Sequence, residues 1–178
     1  KPQKALKAYH IAIKEDPQLD KVWAKAASLY NKLENIEEAE YYIQRAIELN
    51  GDSYEYYTDS TYYFLKQMKF EEAIKNLSKL VELKPLVFNT WFAYVETLIA
   101  VGEYEEAIAV LWTGALKNFN RAEFFYQLSN VYYITDQDQL GNEALQNALS
   151  LDRNLKDSMI EYYPILEEKI NQISGNNE

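Results

Sequence analysis

Apolar residues recur along this chain at helical spacing, in one short stretch after another. Trp23, Ala26, Ala27 and Tyr30 stand at i, i+3, i+4 and i+7, and Ala39, Ile43, Ala46 and Ile47 line one face of the stretch that follows. Polar and charged residues fill the positions between, so each stretch predicts an amphipathic helix with a single buried stripe. The stops are chemical. Pro17, Gly51 and Pro85 fall where a helix must end, and Glu37-Glu38, Glu71-Glu72 and Glu105-Glu106 set negative charge at the positive end of the next helix.

The whole pattern repeats every 34 residues. One column holds small residues, Ala5, Ala39, Ala73, Ala107 and Gly141, and a second runs Ala12, Ala46, Leu80, Gly114 and Ala148. Between them lies the large apolar column Tyr9, Ile43, Leu77, Leu111 and Leu145. In the other half of each unit, Trp23, Tyr57, Trp91, Phe125 and Met159 form a column, followed seven residues on by Tyr30, Phe64, Leu98 and Tyr132. Each unit therefore predicts a hairpin of two helices. Small columns let the paired helices approach closely, and large columns fill the space between successive hairpins.

These residues resemble the tetratricopeptide repeat (TPR), whose motif reads Trp-x2-Leu-Gly-x2-Tyr, then Ala-x3-Phe, Ala and Pro. The match runs through Trp23, Ala26, Ala27, Tyr30, Ala39, Ile43, Ala46 and Gly51, and continues in the same columns to Phe119 and Arg153. The resemblance implies an all-α fold, a right-handed superhelical solenoid of antiparallel helix hairpins closed by a C-terminal capping helix. In this register residues 1–19 are the second helix of a partial repeat, 20–53, 54–87, 88–121 and 122–155 are repeats, 156–173 the capping helix and 174–178 a polar tail, all in one solenoid domain. A chain that starts inside a repeat reads as a piece of a longer array. Pro164 should kink or split the capping helix near Tyr163, with Met159 and Tyr162 turned inward.

Composition narrows the chemistry. The 178 residues include no cysteine and one histidine, which excludes disulfides, thiolate metal sites, thiol nucleophiles and pairs of histidine ligands. A net charge of −10 repels phosphate backbones, so no nucleic-acid partner is expected, and no apolar run approaches the length of a membrane span. Asp136, Asp138 and Glu143 lack the glycine and ligand spacing of a calcium loop, and the sequon Asn76-Leu77-Ser78 falls inside a predicted helix with Leu77 in the core. No metal, no cofactor and no enzyme activity are expected. The compartment stays open between cytoplasm and periplasm.

By resemblance, the face of each first helix turned away from the core lines a concave ligand groove. Its columns place Tyr62, Phe92, Tyr126 and Tyr133 as aromatic anchors, with Asp59, Glu96, Glu123 and Asn130 among them. Rigid aromatics suit hot spots for an extended peptide or a helix. One TPR subclass grips acidic carboxyl-terminal tails through Lys, Arg and Asn. Here Lys21 and Lys25 are followed by Glu55, Asp59, Glu96 and Glu123, so like charges would meet such a tail, and a neutral or basic protein segment is expected instead. The expected function is a non-catalytic protein-interaction scaffold with an aromatic, partly acidic groove. The alternatives are self-association, as a homodimer through Leu6, Tyr9 and Ile13 at the cut end, a structural segment of a larger TPR protein, and, third, stacking of a glycan on the rings.

Overall fold

The computed structural model describes residues 2–117 and 121–175, with side chains up to residue 173. Phe119 and residues 176–178 of the polar tail lie outside the described residues. The helices are α1 (Pro2–Glu15), α2 (Asp20–Lys32), α3 (Ile36–Leu49), α4 (Tyr54–Lys66), α5 (Phe70–Leu83), α6 (Phe88–Val101), α7 (Tyr104–Lys117), α8 (Ala122–Ile134), α9 (Asp138–Leu151), α10 (Lys156–Tyr162) and α11 (Ile165–Gly175), with a 3₁₀ turn at Arg153–Leu155. No strand occurs among the described residues. The fold is an all-α helical repeat, gathered into two compact units, Lys1–Lys84 and Pro85–Glu178.

In the first unit each helix packs on the next, from α1 through α5. Ala39 and Ala73, both 0% exposed, sit where α3 and α5 press on their neighbours. Trp23, Ala27, Ala39, Ile43, Ala46 and Tyr63 form one cluster, with Tyr30, Tyr42 and Tyr56 packed at its edge. The indole N–H of Trp23 donates to the carbonyl of Pro17 at 3.0 Å, which ties the turn between repeats to the helix it precedes. A buried polar seam crosses the same unit: the Ser60 hydroxyl accepts from Gln44 Nε2 at 2.7 Å and from Asn76 Nδ2 at 2.8 Å, joining α3, α4 and α5. This burial of Asn76 is incompatible with a glycan there. His10 lies on the exposed surface of α1, with Nε2 within 3.1 Å and 2.9 Å of the Tyr30 and Tyr42 hydroxyls.

The second unit repeats these devices. Trp91 donates its indole N–H to the carbonyl of Pro85 at 2.8 Å, two repeat lengths after the Trp23 bond. Gly114 in α7 and Gly141 in α9 accept aromatic rings in the space a side chain would fill. A Cβ on Gly114 would lie 2.9 Å from Phe124 Cζ, and one on Gly141 would lie 2.5 Å from Tyr133 Cε1. The helical stretch after residue 155 is split in two: Tyr163 leaves helical geometry at φ −128° and ψ 82°, and α11 starts after Pro164.

The turn inside each hairpin has a feature with no sequence signal. Glu34, Met68, Gly102 and Asp136 all adopt left-handed backbone, with φ of 60°, 57°, 83° and 57°. They stand one repeat apart. At each, the next residue's N–H reaches back to the last helical turn: Asn35 to Tyr30 O at 3.0 Å, Lys69 to Phe64 O at 2.9 Å, Glu103 to Leu98 O at 2.9 Å and Gln137 to Tyr132 O at 2.8 Å. This pairing ends the helix by satisfying carbonyls that would otherwise be orphaned. Glycine fits it without strain, and only the third repeat uses glycine.

Two outcomes follow for stability. Met68→Gly should raise the unfolding free energy by about 0.5–1 kcal/mol and Gly102→Ala should lower it by a similar amount, read as opposite shifts of the denaturation midpoint. Gly114→Ala gains about 1 kcal/mol of helix propensity but overpacks against Phe124 and Trp91, so a net loss of about 1–2 kcal/mol is expected in the same measurement.

Candidate functional site

The hairpin geometry decides which side chains of the first helices are presented. In α2, Trp23, Ala26 and Ala27 are buried, so Lys21, Lys25 and Ser28, at i, i+4 and i+7, turn the other way. In α4, Ser60, Thr61, Tyr63 and Phe64 are buried, which turns Glu55, Asp59 and Tyr62 outward. Ser53 caps α4 by accepting from the Tyr56 N–H at 3.3 Å and so fixes where this face begins.

Depressions open on this unit. One, of about 240 Å³, is lined by Lys21, Ala24, Lys25, Ser28 and Tyr56. Another, of about 470 Å³, is lined by Asn31, Lys32, Glu34, Ile36, Tyr62 and Lys66. Tyr62 is 45% exposed, with the Lys66 ammonium 5.5 Å from its ring centre, which leaves much of the ring open to a ligand. One turn before it, Asp59 is half-buried. Burial holds its carboxyl above the ordinary aspartate range. Among the described residues no hydrogen-bond donor or cation reaches Asp59. Its neighbour on the sequence face, Glu55, is paired with Lys84 at 3.3 Å.

The second unit treats the corresponding positions differently. Glu123 on α8 is paired with Arg121 at 2.6 Å. Glu96 on α6 accepts from the Tyr163 hydroxyl at 2.6 Å, and Phe92 meets the edge of Tyr162 with ring centres 5.7 Å apart. Tyr126, Asn130 and Tyr133 on α8 are 0%, 6% and 4% exposed. The Tyr126 hydroxyl donates to Asp152 O at 3.3 Å, the Tyr133 hydroxyl to Asn142 Oδ1 at 2.8 Å, and the Lys169 ammonium stands 4.7 Å from the Tyr133 ring centre. Burial pushes both tyrosines up to about 12.

Of the eight residues singled out in sequence, Tyr62 and Asp59 are thus presented in the first unit. The six in the second unit are engaged within the chain, and three of them are buried. Two participants were not foreseen. Tyr163, not Tyr162, is the inward residue of the C-terminal segment: it is 6% exposed, while Tyr162 is 64% exposed. Counting on from Met159 by four rather than three gives Tyr163, and the break at Pro164 carries that stripe on through Leu166 and Ile170. Gln127, on the same groove column as Asp59, donates Nε2 to the Tyr163 hydroxyl at 3.1 Å. Among the described residues no group of three or more acidic or histidine side chains could hold a metal ion, and no helix is long and apolar enough to cross a membrane.

An all-α repeat of short hairpins that presents one face of its first helices is the architecture of an interaction module. The tetratricopeptide repeat profile matches residues 20–53. The remaining columns keep the same 34-residue register, so the chain carries a tetratricopeptide repeat at 20–53 and resembles that family along the rest of its length. Its fold is similar to a crystal structure of MamA, at 15% identity and a TM-score of 0.65 over 84% of this chain and 87% of that one. It is similar also to YrrB, described as a TPR protein with an unusual peptide-binding site, at 19% identity and a TM-score of 0.65 over 85% and 78%. MamA from Desulfovibrio magneticus RS-1, from residue 41 to its end, aligns at 18% identity and a TM-score of 0.59 over 89% and 97%. At these identities the likeness shows the fold. No curated protein sequence matches the chain.

Asp59 provides a pH test. Its carboxyl lies above the unfolded value when folded, so the charged form opposes folding, and that penalty appears as pH rises through the folded value. Asp59→Asn should therefore raise the melting temperature at pH 7, with the gain vanishing near pH 3; an equal gain at both would place its origin outside the carboxylate.

Proposed function

We propose that this chain is a non-catalytic scaffold that holds a peptide or a helical segment of a partner protein against the outward face of α2 and α4. The observation that carries this reading is Asp59 beside Tyr62: a half-buried carboxylate without a partner, one turn from an exposed aromatic ring, on the face that the repeat leaves free of its own core. A desolvated charge that makes no compensating bond destabilises the fold that contains it. A lysine, arginine or amide donor of a partner would relieve that penalty on binding, and Tyr62 would pack on the partner's apolar side chain.

This favours a neutral or basic segment over an acidic one. Specificity comes from the same source, since an acidic segment would set its charge against Asp59 in a partly dry setting. The YrrB likeness supports a peptide as ligand class, by way of that protein's description. The repeat boundaries at 20–53, 54–87, 88–121 and 122–155 are part of the proposal, and the first two of these repeats supply the helices α2 and α4 of this face.

Selection of a random phage-displayed peptide library on the immobilised chain tests the reading. Enriched peptides should pair Lys or Arg with a nearby apolar anchor. Their affinity should fall by about tenfold or more in both Tyr62→Ala and Asp59→Asn, in line with a contact of about 1.4 kcal/mol or more, without loss of the melting temperature. Peptides that bind both variants as tightly as the native chain would sink it.

A further inference from the structure

The face that is open in the first unit is covered in the second, and the cover is the chain's own C-terminal segment. Met159, Tyr163, Leu166 and Ile170 form its buried stripe, at 7%, 6%, 0% and 5% exposure. α11 packs on α8 and α9. Its anchor is Tyr163, whose hydroxyl donates to Glu96 on α6 and accepts from Gln127 on α8. The Glu96 bond spans 67 residues, nearly two repeats. In a stack where each hairpin touches the next, α10 follows the α8–α9 hairpin and would meet that hairpin alone. A bond back to α6 means that the segment lies across the first-helix face instead of extending the stack beyond it.

The floor beneath it has the character of a ligand surface. Glu96, Gln127 and Asn130 share the groove columns of Tyr62 and Asp59, and a permanent core seldom carries such a row of polar groups. Gln127 is 0% exposed, and its Oε1 has no hydrogen-bond donor. The covering segment thus leaves one acceptor unserved. That acceptor would be satisfied by water if the segment lifted, or by a donor from a better-fitting occupant.

We propose that α10–α11 is a displaceable internal ligand of the first-helix face of the second unit, and that this face takes in trans an amphipathic helix entered through a tyrosine–proline turn. The recognised pattern is a tyrosine with apolar residues three and seven positions later, as in Tyr163, Leu166 and Ile170, plus a donor for Gln127 Oε1. The proposal rests on the reading of the first-helix face as the ligand face, and it adds that in the second unit this face is self-occupied. A partner helix must compete with a segment tethered at an effective concentration of millimolar order.

The probe is a fluorescein-labelled peptide of residues 156–175, titrated by anisotropy into the full chain. Leu166→Asp should release the internal segment and leave its floor intact, so the peptide should bind this variant at least about tenfold more tightly than the native chain. Tyr163→Phe, which keeps the ring and removes only the hydroxyl, should fall between. Equal binding to all three, or binding to none, overturns the proposal. Hydrogen exchange on the native chain decides the matter should either variant fail to fold: α10–α11 amides should exchange at least about 100-fold faster than those of α8 and α9, as a locally opening element does. Matching protection would make the segment an integral cap and overturn the proposal. Loss of library peptides in Tyr62→Ala, alongside such matching protection, would leave the first-unit reading standing and sink only this one.

Discussion

Two helices can lie against each other at short range only where the side chains between them are nearly absent. Ala39, Ala73 and Ala107, all fully buried, supply that contact in three hairpins, and Gly141 supplies it in the fourth. Everything else in the fold is spaced by it. Because the paired helices are close, the large residues beside the contact must reach past the hairpin, and they fill the gap to the next one. Where the contact loses even the methyl group, at Gly114 and Gly141, a ring of Phe124 or Tyr133 takes the vacated volume. The larger rings of the second unit and its glycines are therefore one adaptation, seen from two sides.

That constraint also explains which face is available for function. A first helix buries one stripe against its hairpin partner and a second against neighbouring hairpins, and what remains is a narrow outward strip. In α4 the strip carries Asp59 and Tyr62 and is open. In α8 the same columns carry Gln127 and Asn130, both buried, and Tyr163 of the C-terminal segment sits on Gln127. The same columns thus give an exposed surface in one unit and an interior one in the other, through the ring that Gly141 admits within the hairpin and through Tyr163 of the segment that follows it.

Legibility in the sequence follows the same division. The helices and their buried faces were readable because each column repeats one physical demand, small or large, in a fixed register. The left-handed turns at Glu34, Met68 and Asp136 were not, because hydrogen bonding to the helix end compensates the backbone strain and no glycine is needed to announce them. Asp59 and Tyr62 were readable as outward residues. Tyr126, Asn130 and Tyr133 were read as outward by the same rule; the missing side chain at Gly141 lets the Tyr133 ring pack onto α9, and the Tyr126 hydroxyl reaches Asp152 O at the end of α9, so the hairpin itself takes up rings that the rule assigned to the groove. Pro164 announced a break in the C-terminal segment but not its new direction, and the choice between Tyr162 and Tyr163 turned on it.

The seam through Ser60 has a consequence of another kind. Aliphatic ridges alone would let one helix slip past another by a turn at small cost, but the Ser60 hydroxyl is held from both sides, by Gln44 and by Asn76. It works as a bolt through three helices. A repeat can drift in most of its columns one residue at a time, whereas here an alanine at 60 would strand two amides at once. A change at one of the three positions therefore reaches the other two, and it costs most at Asn76, whose buried amide has no water to turn to.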